Sequence, residues 1–183
     1  MNFIIYDLEA TCWETKSESN GKMQEVIEIG ALKINEEGEI LSRFESFVRP
    51  TTYPQLSDFC TRLTTITQVD INQADTFPVV IEDFWDWIGL TENEEYLLCS
   101  WGFFDKKAFV KNCQLHDLES SWANEHISIK HQYPRIKGIA YAIGLHKAVE
   151  REGFEFEGAH HRGIDDAINL AKIFIKYLHL WHY

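Results

Sequence analysis

The chain has 183 residues, 45% of them apolar and 25% charged, proportions of a globular protein rather than a disordered one. Its 29 acidic and 17 basic side chains give a net charge of −12, which at face value argues against a polyanionic partner, because phosphate binding is driven by Lys and Arg. No apolar run approaches the ~18 residues of a membrane span, and Asp7 and Glu9 interrupt the N-terminus too early for a secretory signal. Cys12, Cys60, Cys99 and Cys113 are scattered without CxxC spacing, so neither a zinc site nor a disulfide framework is suggested and a reduced, cytoplasmic protein is expected.

In chain order, Phe3-Ile4-Ile5-Tyr6 followed by Asp7-Leu8-Glu9-Ala10 reads as a strand that is apolar on both faces except at its C-terminal end. Val26 to Ile34 and Ile40 to Val48 are two further β-rich runs, and Gly38 in the polar stretch between them signals a hairpin. Ser57 to Ile66 is expected to be helical, as is much of Ala74 to Leu90, with Pro78 near its start. Tyr96 to Ser100 is a short strand leading through Trp101-Gly102 into a helix, Phe104 to Leu115. Ile127 to Lys130 is expected as a strand, Ile136 to Gly144 as a helix, and Gly163 to Leu180 as a long C-terminal helix. Strands first and then alternation with helices indicate an α/β domain with a mixed sheet. With no linker, repeat or low-complexity tract, one domain over residues 1–183 is expected.

Three acidic sites break the apolar pattern. Side chains alternate along a strand, so Phe3, Ile5, Asp7 and Glu9 share one face, and two carboxylates point the same way where a buried strand leaves the sheet. Ligands of open α/β sheets commonly bind at such carboxyl ends, and a divalent cation would offset the like charges. The alternative is that the strand has simply ended and both acids are solvated. Asp105 opens the next helix and, at about 100° per residue, shares a sector with Ala108, Phe109 and Asn112 rather than with Lys106, Lys107 and Lys111. A capping role through the helix dipole is the plain alternative. On the last helix, Asp165, Asn169, Lys172, Lys176 and His179 form a polar stripe, whereas Asp166 is turned about 100° away, among Leu170, Ile173 and Tyr177. It therefore faces protein and needs a partner, and His161, on a glycine-containing turn just before the helix, is free to approach it.

Asp7-x-Glu9, Asp105 after a central strand and His161-x4-Asp166 at the start of the last helix occur in the order found in the DEDDh exonucleases, and the chain resembles that superfamily over essentially its whole length. Asp7-Leu8-Glu9-Ala10-Thr11-Cys12-Trp13, Phe47-Val48-Arg49-Pro50, the Leu56–Gln68 segment and Gly158 to Ala167 further resemble the branch of enhanced-RNAi and histone-mRNA 3′-end exoribonucleases. The resemblance implies a ribonuclease-H-like fold with a five-stranded mixed β-sheet flanked by helices. It implies 3′→5′ hydrolysis of phosphodiesters to nucleoside 5′-monophosphates, on single-stranded RNA more than DNA. Asp7, Glu9, Asp105 and Asp166 would hold two Mg²⁺ or Mn²⁺ ions, which suit oxygen ligands. His161 would be the general base; Arg162 stands where a sister subgroup has tyrosine. The Leu8–Thr11 segment, with Leu8, Glu9, Ala10 and Thr11, would line the terminal-nucleotide pocket together with Phe104 and His161. Because the first motif begins at residue 7, the chain is expected to be a bare catalytic domain without an additional nucleic-acid-binding domain.

The stretch from His126 to Val149 holds no acid in 24 residues but includes Lys130, Arg135, Lys137 and Lys147. This strip is the expected guide for a phosphate backbone; the alternative is a mostly buried helix with solvated charges. Trp101, Trp13 and Phe104 are open between base stacking and core packing, while Trp85 and Trp87 are expected to pack.

Overall fold

A computed structural model describes residues 1–183. Five strands form one sheet: β1 (Asn2–Ala10), β2 (Val26–Ile34), β3 (Ile40–Phe47), β4 (Tyr96–Ser100) and β5 (His126–Ser128), in the order β3-β2-β1-β4-β5. β1 pairs antiparallel with β2 and parallel with β4; β2–β3 is antiparallel and β4–β5 parallel. The sheet is therefore mixed, with β1 at its centre, as the sequence pattern implies. The eight α-helices are α1 (Lys16–Ser19), α2 (Asp58–Thr64), α3 (Gln68–Gln73), α4 (Phe77–Ile88), α5 (Phe104–Leu115), α6 (Ile129–Lys137), α7 (Leu145–Arg151) and α8 (Gly163–Lys176).

Alternation along β1 divides the core into two layers. Phe3 and Ile5 join Leu32, Ile34 and the inward faces of α6, α7 and α8, while Ile4, Tyr6 and Leu8 join α4 and α5 on the opposite face. A smaller cluster of Ile27, Leu56, Cys60, Ile66 and Ile71 seats α2 and α3 beside the start of β2. α4 follows the usual punctuation of a helix, with Pro78 in its first turn and Gly89, at φ +89°, ending it.

Two elements differ from the sequence reading. The strand expected at Ile127–Lys130 runs from His126 to Ser128, and the helix expected at Ile136–Gly144 instead begins at Ile129 and ends at Lys137. Pro134 lies inside α6, where proline removes a backbone donor and normally argues against a helix. Gly138, at φ +64°, then terminates it, so Ile139 and Ile143 pack against the core from a loop and a separate helix, α7, follows. At the C-terminus α8 stops at Lys176 and a 3₁₀ turn covers Leu178–Leu180.

α8 lies across β1 and β2, and its first turn comes close to the strands. A Cβ placed on Gly30 of β2 would stand 2.1 Å from the Ile164 nitrogen, and one on Gly163 would stand 3.0 Å from the Asp7 carbonyl oxygen. Only glycine allows this approach, and the approach brings the start of α8 to the end of β1.

Candidate active site

The carboxyl end of β1, the start of α5 after β4 and the start of α8 meet at one cleft of about 360 Å³. Asp7, Leu8, Glu9, Phe104, Asp105, His161 and Asp166 all line it. Ala10 and Thr11 do not; both are buried beyond the cleft, and Thr11 Oγ accepts the Glu25 N–H at 2.9 Å. Leu8 is 3% exposed and packs with the α4/α5 layer, on the strand face opposite Asp7 and Glu9. Phe104 is 49% exposed, so it is free to meet a ligand, whereas Trp101 is buried in the core with its indole N–H donated to the Ile143 carbonyl. Trp13 meets Tyr53 edge-on, and Trp85 and Trp87 pack at the margin of the second layer.

Helix phase accounts for two of the acids. Asp105, Ala108, Phe109 and Asn112 form the buried face of α5. Asp105 Oδ1 accepts the Leu8 N–H at 3.2 Å, tying the start of α5 to β1. One face further along, Asn112 Oδ1 accepts the Val26 N–H at 3.0 Å, next to the register shift between Glu9 and Ala10 that ends the β1–β2 ladder. On α8, Asp166 is 3% exposed, as its phase requires. Asn169 departs from its expected place on the polar stripe: it is fully buried and bridges the Glu157 backbone to the Asp165 carbonyl. Asp165 accepts the Ala159 N–H at 2.8 Å, ordering the loop before the helix.

Ligand oxygens of Asp7, Glu9 and Asp166 lie within 4.8 Å of one another. Burial pushes all four carboxyls up, and repulsion from neighbouring acids adds to it at Asp7, which rises well above the usual range, and at Glu9, which rises to about 8; Asp166 also rises, burial outweighing the pull of His160 and the His161 N–H. Asp105 reaches about 6, burial outweighing the hydrogen bonds from its own and the Leu8 backbone. Acids this close in a desolvated cleft hold protons unless a cation shares the site. An all-oxygen donor set of this density fits a hard divalent ion such as Mg²⁺ or Mn²⁺ and not a soft, thiolate-seeking one.

Two histidines face these acids. His160 Nδ1 is 3.0 Å from Asp166 Oδ1, and the His161 backbone N–H donates to Asp166 Oδ2 at 2.9 Å. The rings of His160 and His161 stack with centroids 4.0 Å apart. His161 adopts φ +66°, a left-handed conformation uncommon for a residue with a Cβ, and the hydrogen bond to Asp166 holds it there. Burial and the neighbouring His160 lower the His161 pKa.

Glu28 carries no signal in the sequence beyond an acid inside an apolar run. Its side chain is fully buried on β2, opposite Glu9 in register. It receives Arg162 Nε and Nη at 3.2 and 3.0 Å and the Gly163 N–H at 2.9 Å. A residue pair 134 positions apart thus clamps the start of α8 to the sheet. Arg162 is committed to this clamp.

The basic strip is dispersed by the fold. Lys130 lines the cleft, but Arg135 lies in a separate groove near Leu180. Lys137 is paired at 3.1 Å with buried Glu152, which also receives Lys176 and the hydroxyls of Tyr133 and Tyr177. This hub ties α6, α7 and α8 together rather than serving a ligand.

Residues 4–174 match the RNase_T family model, described as "Exonuclease". Over 181 residues the chain is 35% identical to 3′-5′ exoribonuclease 1 of Homo sapiens, covering 95% of this chain and 51% of that protein. It is 29% identical over 174 residues to "Probable 3'-5' exonuclease KapD" of Bacillus subtilis (strain 168), covering 94% of this chain and 82% of that one. The solved nuclease domain of 3′hExo, a DEDDh family member bound to rAMP, superposes with a TM-score of 0.89 at 34% identity, covering 97% of this chain and 92% of that domain. The chain spans about half the length of the exoribonuclease 1 relatives it matches.

Proposed function

Because the chain belongs to the exonuclease family whose model spans residues 4–174, we propose that it hydrolyses single-stranded RNA from the 3′ end and releases nucleoside 5′-monophosphates. The observation that carries this reading is the convergence of Asp7, Glu9, Asp105 and Asp166 on one cleft beside His160 and His161. The human relative named as an exoribonuclease and the 3′hExo domain bound to rAMP support RNA as the substrate. Residues 1–183 form the catalytic unit, and their four free cysteines fit a reducing, cytoplasmic compartment.

The four carboxylates would hold two divalent cations, Mg²⁺ or Mn²⁺. When bound, such a pair supplies charge neutralisation at the scissile phosphate and activates the attacking water. His161, its pKa held down by burial, is neutral near pH 7 and takes the proton of that water on a ring nitrogen. His160 positions Asp166 through its 3.0 Å contact. Glu9 and Phe104 face the terminal nucleotide, with the exposed Phe104 ring available to a base; Leu8 borders the same cleft while its side chain anchors the segment in the α4/α5 layer, and Ala10 and Thr11 support it from behind. Lys130 on the cleft wall offers a positive charge to the phosphate.

Incubation with 5′-labelled RNA and DNA oligomers, in Mg²⁺, Mn²⁺ or EDTA, tests the reading. A metal-dependent ladder that shortens from the 3′ end of RNA is expected. A ladder on DNA alone would reassign the substrate, and binding without products would overturn hydrolysis.

A further inference from the structure

Beside the acidic cleft, α5 carries a lysine ridge on its outer face. Lys107 and Lys111 follow Phe104 at intervals of three and four residues, so the three share one stripe; the neighbouring stripe, one residue on and turned about 100° away, holds the buried Asp105, Ala108 and Asn112. Lys22, from the loop before β2, closes a groove of about 420 Å³ with Phe104, Lys107 and Lys111. Lys106, Lys107 and Lys111 continue round the helix into an adjoining concavity next to Phe103. No acid lines either surface.

The charge on this ridge is uncompensated. Lys33, Lys137, Lys172 and Lys176 each pair with a carboxylate, in keeping with a chain of 29 acids and 17 bases. Lys22, Lys106, Lys107 and Lys111 make no ion pair. Lys106 reaches only the Asn124 carbonyl, and Lys22 lies over the rings of Trp13 and Tyr53 at 5.1 and 5.4 Å. Two apolar rings, Phe103 and Phe104, are 44% and 49% exposed at the same end of the helix. Phe104 also belongs to the acidic cleft, so the two surfaces are continuous across its ring.

We propose that this groove carries the sugar-phosphate backbone of a single-stranded nucleic acid, 5′ of the nucleotides held in the acidic cleft, with Phe104 stacking a base where the strand passes from one surface to the other. The inference rests on the function proposed above and adds the path of the strand. Point charges on flexible stems and an open ring face read no base edges, so recognition here is independent of sequence. The path differs from the His126–Val149 strip expected from the sequence, because Lys137 is consumed by Glu152 while the α5 lysines are not.

The test is fluorescence anisotropy of a labelled 20-nucleotide single strand, titrated from 50 to 200 mM salt with Ca²⁺ in place of Mg²⁺. The wild type is compared with K107Q/K111Q, with K107E/K111E, and with R151E, an exposed charge change on α7. Losing two phosphate contacts lowers the slope of log affinity against log salt by about 1.4. Reversal is expected to weaken binding roughly tenfold at the lowest salt, with R151E close to wild type and each variant's fold checked by thermal melting. Unchanged affinity and slope in both lysine variants would overturn the path, as would failure of the wild type to bind the strand. Binding is read without turnover, so a protein that binds through α5 but releases no nucleotide would refute the hydrolytic reading and keep the groove.

Discussion

Replacing Arg162 by methionine keeps the length of the side chain and removes its charge from Glu28. Glu28 is wholly buried and lies across the ladder from Glu9, so after the substitution its only remaining donor among these contacts is the Gly163 N–H. At 3.0 Å and an effective dielectric of 20, the lost attraction is about 5 kcal/mol. Breaking one side of a buried pair commonly costs about 3–5 kcal/mol. For a chain of this length that is roughly 6–20 °C in melting temperature. Burial already raises the Glu28 pKa against the pull of Arg162, and without Arg162 it rises further. A carboxyl whose folded pKa lies above its unfolded value contributes stability below the unfolded pKa and loses it as pH rises through the folded one. The R162M deficit should therefore be larger at pH 8 than at pH 5. Urea denaturation of wild type, R162M and R162M/E28Q at both pH values measures it, with the double variant expected to recover much of the loss. An R162M protein within 1 kcal/mol of wild type at pH 8, on the scale of an exposed ion pair, would refute the clamp.

Gly30→Ala forces a methyl group into the backbone of Ile164; the resulting displacement of Asp166, if near 1 Å, costs about 100-fold in turnover, and a rate within threefold of wild type would contradict the close approach. Glu152 carries a different pH signature: its four hydrogen-bonded partners outweigh burial and hold its pKa at about 2. Its contribution, about 3 kcal/mol by linkage, is present above the unfolded value near 4.5 and lost as pH falls through about 2. E152Q should thus be destabilised at pH 7 and converge on wild type in strong acid, as read by chemical denaturation. At the cleft the sign is opposite, because burial and repulsion raise the acids, Glu9 to about 8. Without cations the cluster loses stability as pH rises, so a fixed concentration of Mg²⁺ or Mn²⁺, set at 100 times the dissociation constant at pH 8, should stabilise the protein by about 2.7 kcal/mol at pH 8 and by less at pH 5.5, where protons compete for the same oxygens. Equal thermal shifts at the two pH values would count against proton displacement by the ions.

Periodicity made much of this site legible. Strand alternation placed Asp7 and Glu9 together, and helix phase separated Asp166 from Asp165 and turned Asp105 inward, because each depends only on local geometry. Long-range pairings left no such trace. Glu28 and Arg162 are 134 residues apart; Glu28 alone reads as an acid inside an apolar run, and Arg162 as an ordinary charge at the edge of a helix. Asn169 matched a polar stripe by phase, yet the 157–159 loop folds over it and uses its amide. Pro134 concealed α6, since local propensity opposes a proline in mid-helix and tertiary packing overrides it. Net charge was too coarse a measure. What matters is that four acids converge in the cleft while four unpaired lysines gather beside it.

Hydrolysis of 3′-hydroxyl RNA in H₂¹⁸O with Mg²⁺, followed by mass spectrometry of the released mononucleotide, tests the proposed chemistry most directly. Attack of water on the phosphorus from the acidic cleft puts one ¹⁸O into a nucleoside 5′-monophosphate, and Asp166→Asn abolishes its release. Release of 3′-phosphates, or an undiminished yield from Asp166→Asn, would contradict it.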